Sequence, residues 1–394
     1  MSRPLTVVVS GLGIAQIISW GSLYYPIAVL GERMQQDLQV SSSILFAAFT
    51  LSLSISGLAA PAVGRLMEAH GARMVLCSGS VMAMLALCLL AAASGPLSLF
   101  AAAVLAGCAM SACLYDAGFM ALNQIAGDAY RRSVTGLTLF GGFASTVSWP
   151  ASQWLMAMAG WRHALFFYAL LQLLVCLPLH ACLLPGNGRK PGSLPDRPAA
   201  TGQAPHIAWL ALAFASGSFV LSVLSVHLIG MFRTSGLSDA QAVTIAALVG
   251  PTQVLGRLLE LGMGRNTRAV HVGSLTFAAM ILGMTALFLL DGSTRLAYLV
   301  AALYGISNGL MTIVRGIVPA ELYGRRDYTT LLGRLARPAF IARALAPFGF
   351  TLALASLGQV STMLMLLAIS IVATMAYWLA VRHARRWEIK RDTD

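Results

Sequence analysis

Once the bases at the loops and stretch ends are set aside, five arginines remain inside long apolar stretches of this 394-residue chain: Arg257, Arg315, Arg334, Arg337 and Arg343. A guanidinium near the middle of a membrane costs at least ~2.5–3.5 kcal/mol, so it normally faces a cavity, a counter-charge or a ligand. Arg343 stands near the middle of its stretch, and either holds a substrate anion or coupling ion or pairs with the protein alone. Arg334 and Arg337 stand near the end of the same stretch, where long side chains snorkel outward. Tyr304, Asn308 and Arg315, at spacings of four and seven, share one helix face. Asp116 and Asn123, seven apart, make a second such stripe. Asp116 is the one carboxylate well inside a stretch. In that place it either takes up and releases protons, as proton coupling requires, or is the fixed partner of an arginine.

Gln16, Trp20 and Tyr24 rise along one side of the first stretch, and Tyr25 with Pro26 predicts a bend near its outer end. These residues either line a path for solute or belong to the interfacial aromatic belt. Gln253, Arg257 and Glu260 line one side of a later stretch. His227 and Met231, one turn apart, are both of soft-metal-ligand type. The plainer reading of His227 is a cavity donor or proton relay. The six cysteines show no paired zinc spacing and read as small apolar packing residues, so no metal site and no cofactor are expected. Neither a phosphate-binding Gly-x-x-x-x-Gly-Lys loop nor a His-Glu-x-x-His or Gly-x-Ser-x-Gly run occurs. The sequence therefore offers no engine for ATP-driven transport and no sign of an enzyme.

The elements that must position these residues follow from composition. At 58% hydrophobic and 10% charged the chain is a multi-pass membrane protein. Stretches of roughly 20 apolar residues cross ~30 Å of hydrocarbon as helices. Twelve are counted, at 5–30, 42–67, 74–93, 97–126, 134–159, 162–184, 206–232, 240–263, 269–290, 295–322, 331–357 and 360–382. They are continuous and rich in Leu, Ala and Gly, without the alternation of a barrel, so the expected class is all-α. Residues 185–205, dense in Pro and Gly, predict a cytoplasmic linker between an N-terminal half, 1–184, and a C-terminal half, 206–382, with a basic tail at 383–394. With both termini cytoplasmic, seventeen bases fall on that side against four on the other. The net charge of +12 thus records topology and gives no support to nucleic-acid binding. Arginine outnumbers lysine 24 to 2, a composition of GC-rich bacterial genomes, so the expected location is a bacterial inner membrane.

The segment Val63 to Arg73 carries Gly64-x-Leu66-x-Glu68-x-x-Gly71-x-Arg73, and Gly256-Arg257-Leu258-Leu259-Glu260 returns 192 residues after Gly64. This pattern resembles the motif in the loop between the second and third helices of the major facilitator superfamily of transporters, with Glu68 replacing the commoner Asp. The resemblance covers essentially the whole chain and implies two pseudo-symmetric six-helix halves. Sliding the first half by 192 places Asp116 on Asn308 and Asn123 on Arg315. Gly136 and Pro150 match Gly333 and Pro347 at 197, a growth assigned to the loop Tyr323 to Thr330. Gly64, Arg65, Glu68, Gly71 and Arg73, with Gly256, Arg257 and Glu260, are the expected conformational latch, Arg65 pairing with Glu68 and Arg257 with Glu260.

Trp20-Gly21-Ser22-Leu23-Tyr24-Tyr25, the Arg257 region and Arg343 resemble the monocarboxylate and oxalate/formate branch, whose members bind carboxylates through basic residues in the eighth and eleventh helices. The branch's Arg-Pro-x-x-Gly is absent, Arg257 being followed by Leu258. The expected function is secondary active transport of a small organic anion across the lipid bilayer by a monomer. Arg315 and Arg343 would hold the anion, and Gln16, Tyr24, Asn123, His227 and Asn308 would line the site. Asp116 would couple protons. The alternative on the same fold is a drug exporter, or a copper importer using His227 and Met231.

Overall fold

The computed structural model describes residues 4–185, 205–263, 267–325 and 328–393. Residues 186–204 of the expected linker lie outside the described residues, as do Arg3, Arg265 and Arg326 among the cytoplasmic bases. Every regular element among the described residues is helical. That follows from the sequence: in lipid each backbone N–H and C=O must find its partner within the protein, and a continuous apolar run does so only as a helix.

Among the described residues ten helical stretches are long and apolar enough to cross a membrane, and two of these, Gly127–Leu183 and Tyr328–Ala384, are 57 residues long. At 1.5 Å per residue such a stretch would reach about 85 Å if straight, far beyond one bilayer. Each is broken at one glycine: Gly160 (φ 80°, ψ 168°) and Gly358 (φ 77°, ψ 174°). Only glycine takes up this region without strain, so each helix ends there.

Two compact units result, Met1–Asp196 with Tyr328–Arg337, and Arg197–Asp327 with Pro338–Asp394. In the first, α1 (Leu5–Leu23) and α2 (Ile27–Leu38) meet at the predicted bend, Tyr24-Tyr25-Pro26. There follow α3 (Ser42–His70), α4 (Ala72–Ala91), α5 (Pro96–Cys113), α6 (Tyr115–Ile125), α7 (Tyr130–Gly142), α8 (Ala144–Leu171) and, after a π-helical turn at Gln172–Cys176, α9 (Leu177–Leu183). Small residues bring these helices together backbone to backbone. A Cβ on Gly107 of α5 would stand 2.4 Å from the carbonyl oxygen of Ser52 in α3. Where lipid supplies no hydrophobic drive between helices, such close approach supplies the packing energy.

In the second unit lie α10 (Pro205–Thr234), α11 (Asp239–Ala247), α12 (Val249–Met263), α13 (Ala269–Phe288), α14 (Thr294–Tyr323) and most of α15 (Tyr328–Thr393). Helix α14 lies on α12 through Gly309, whose Cβ would meet the carbonyl of Gln253 at 2.4 Å. Glu321 closes the start of α13: it accepts from the amide of Ala269 and from Arg268 Nε at 3.0 Å. In the first unit Gln124 closes the start of α4 in the same way, accepting from the amide of Ala72 at 3.0 Å.

These two caps correct the register of the repeat. Ala72 and Ala269 are 197 apart, as are Gln124 and Glu321, so the five extra residues lie before α13, between Gly256 and Ala269. They do not lie in the later loop at Tyr323 to Thr330. The shift moves the match by more than a helical turn: Arg315 corresponds to Gly118, and Asn308 to Ser111. The expected pairing of Asp116 with Asn308 and of Asn123 with Arg315 does not hold.

Candidate functional site

In the second unit two guanidinium groups meet over one phenyl ring. Cζ of Arg315 in α14 lies 5.3 Å from the centroid of Phe340, and Cζ of Arg343 in α15 lies 5.7 Å from it. Laid end to end, those distances put the two cations at most about 11 Å apart. Arg315 is buried and Arg343 half-buried. A ring face attracts each cation, which helps to hold both side chains in place.

The other expected members in this unit divide. Asn308 is half-buried, its carbonyl accepting from Thr312 Oγ1 at 3.2 Å. Tyr304 is buried and donates to the carbonyl of Leu221 at 3.3 Å, tying α14 to α10. His227 turns Nε2 to the carbonyl of Pro347 at 3.3 Å, with its ring 4.7 Å from that of Phe350. Met231 is buried. Among the described residues no group of three or more His, Cys, Asp or Glu side chains is placed to hold a metal ion. Arg334 and Arg337 are exposed at the start of α15. Arg257 and Glu260 are both buried on α12.

The first unit holds no matching pair of cations at these positions; its polar centre is Gln16. Its Nε2 donates to the carbonyl of Cys113 at 2.9 Å, and its Oε1 accepts from Trp20 Nε1 at 3.1 Å. Trp20 then packs on Tyr24 at 5.2 Å and on Tyr115 at 5.1 Å, and Tyr24 on Phe49 at 5.2 Å. Leu114 is extended (φ −83°, ψ −166°), so one span is split into α5 and α6, and Asp116 falls in the first turn of the second piece. A broken helix exposes backbone groups inside the membrane, the device by which transporters of many folds build ion and substrate sites. Asp116 is buried and Asn123 half-buried.

Two features escaped the sequence reading. No Pro or Gly marks the break at Leu114, so it had no local signal. Gln172, fully buried, donates to Ser22 Oγ at 2.9 Å and Ser19 Oγ at 3.3 Å. As a lone amide in an apolar span it carried the same signal as Gln16 and was passed over.

The motif at the end of α3 also finds partners the sequence did not name. Glu68 accepts from Thr329 Oγ1, from Thr330 Oγ1 and, at 2.9 Å, from the amide of Thr330, closing the N-terminus of α15. Among the described residues no ion pair joins it to Arg65. One turn away, a Cβ on Gly64 would meet the carbonyl of Thr329 at 2.6 Å, and one on Gly333 the carbonyl of Ala60 at 2.5 Å. Ala60, Gly64 and Glu68, four apart, thus form one face on which the first turns of α15 lie. Tyr130 adds a hydroxyl bond to Tyr328 at 2.6 Å. Gly71 (φ 82°, ψ 163°) ends α3, and Arg65 and Arg73 are exposed.

Comparison with known proteins agrees with this architecture. The family model described as Major Facilitator Superfamily matches residues 12–279. The structure of the human organic anion transporter MFSD10 (TETRAN) superposes with a TM-score of 0.73 at 17% identity, covering 95% of this chain and 100% of that one. The E. coli fucose:proton symporter FucP gives 0.71 at 13% identity, covering 97% and 99%. No curated protein sequence matches. The chain belongs to the Major Facilitator Superfamily, and is a multi-pass transporter of small molecules rather than an enzyme.

Proposed function

We propose that this transporter carries a small organic anion by alternating access and couples it to protons through Asp116. It does so as a monomer in a bacterial inner membrane, with twelve crossings and both termini cytoplasmic. The observation that carries the reading is the pair Arg315 and Arg343 on Phe340: two cations on neighbouring apolar spans, drawn to one ring, suit an anionic cargo. The structural similarity to an organic anion transporter and to a proton symporter supports both parts. Gln16, Tyr24, Asn123 and Asn308 line the path, and the breaks at Tyr24 to Pro26 and at Leu114 give the first unit its irregular backbone. Glu68 on the start of α15 is the latch contact that forms and breaks during the cycle. The copper reading loses support, because His227 faces Pro347 and Phe350.

The test is uptake of labelled carboxylates into proteoliposomes with and without an inward proton gradient. A carboxylate is taken up by wild type, faster with the gradient; Arg343→Gln lowers uptake about 10- to 100-fold, and Asp116→Asn leaves uptake that no longer responds to the gradient. Uptake that survives Arg343→Gln unchanged would refute the anion assignment.

A further inference from the structure

The turn of α15 that bears Arg343 lacks one backbone donor. Pro347, four residues on, has no amide N–H to offer the carbonyl of residue 343, and a proline ring crowds that carbonyl. That carbonyl would be left without a donor in an apolar span, where no water replaces it. Ser222 of α10 supplies the donor: its Oγ lies 2.9 Å from the carbonyl oxygen of Arg343. Neighbouring hydroxyls on α10 behave differently, since Ser225 and Thr234 bond back to carbonyls of their own helix, the usual choice within a span. A second tie stands beside the first, His227 Nε2 on the carbonyl of Pro347. The backbone carbonyls of Arg343 and Pro347 are therefore both held by α10, while the Arg343 side chain reaches Phe340.

We propose that Ser222 is a positioning residue for Arg343: its hydroxyl takes the place of the amide that Pro347 lacks, and so sets where the guanidinium stands. This inference rests on the anion reading for its consequence, since the guanidinium so placed is the one assigned to the cargo. It also gives His227 a role in holding the Pro347 turn in place of one in binding.

The experiment reads Arg343 itself. Purified full-length protein in nanodiscs is treated with phenylglyoxal, and modification of Arg343 is followed by peptide mass spectrometry. Ser222→Ala changes the labelling rate about fivefold, the scale of one lost hydrogen bond, while Ser222→Thr keeps it within about twofold. Pro347→Ala restores an amide donor to the carbonyl, so in that background Ser222→Ala changes the rate by less than about twofold. Should Ser222→Ala fold poorly, Ser222→Cys, a weak donor, replaces it in the same comparison. An equal change in both backgrounds, or none in either, overturns the proposal. Protection of Arg343 in wild type by a panel of carboxylates reads the functional assignment separately. Absent protection counts against the anion alone, and the labelling comparison still decides the role of Ser222.

Discussion

The fourth span of the first half and the corresponding span of the second descend the same path in sequence, 197 residues apart, yet only one is interrupted. The first is split at Leu114 into α5 and α6, with Asp116 just after the break, whereas α14 runs unbroken for 30 residues. Where α14 has Arg315, the first half has Gly118, whose Cβ would stand 3.3 Å from Gln16 Nε2. In the next span the two prolines match, Pro150 and Pro347, but Thr146 stands where Arg343 does. One scaffold thus carries two chemistries. The first half offers a carboxylate, amides and rings on an irregular backbone, and the second two guanidinium groups on more regular helices. Under the proposed function, this divergence would give the coupling ion to the first half and the cargo to the second.

That comparison is broken most severely by exchanging the chemistries. Gly118→Arg places a cation where a Cβ alone already meets Leu137 Cδ2 at 2.8 Å, and the expected cost exceeds about 4 kcal/mol. It is expected to yield no monodisperse protein on size-exclusion chromatography. Next come Arg315→Gln and Arg343→Gln, each weakening carboxylate binding about 10- to 100-fold with the fold intact. In the double variant the losses fall short of the product if both groups hold one anion, a result calorimetric titration reads directly. The comparison is sharpened where the halves agree. Gly160→Ala and Gly358→Ala force the same rare backbone on a residue with a Cβ, so each lowers stability by about 1–3 kcal/mol, seen as matched drops in thermal unfolding midpoint. The smallest effect is that of Glu68→Gln. It keeps one acceptor oxygen but loses the charge and the second acceptor on the bonds to Thr329 and Thr330, about 0.5–1 kcal/mol in the same assay.

Much of this was legible because membrane helices declare themselves by length and apolarity, and because an intramembrane charge needs a reason. The convergence of Arg315 and Arg343 was expected from type and depth, but Phe340 as their meeting point was not, since tertiary packing alone brings it there. The register of the repeat was misread because 192 is correct at Gly64 and Gly256 and changes only in the loop that follows. Sequence offered no landmark there; the capping bonds of Gln124 and Glu321 did. Glu68 was singled out, but its partner lies 261 residues away and no spacing rule reaches it.

The most direct test of the central claim compares a carboxylate with its own primary amide, matched in shape and differing in charge. The account predicts that wild-type proteoliposomes take up the carboxylate at least about tenfold better than the amide, the scale of a charge-assisted pair, and that the preference collapses in Arg343→Gln. Equal uptake of the two by wild type, or a preference that survives in Arg343→Gln, would contradict it.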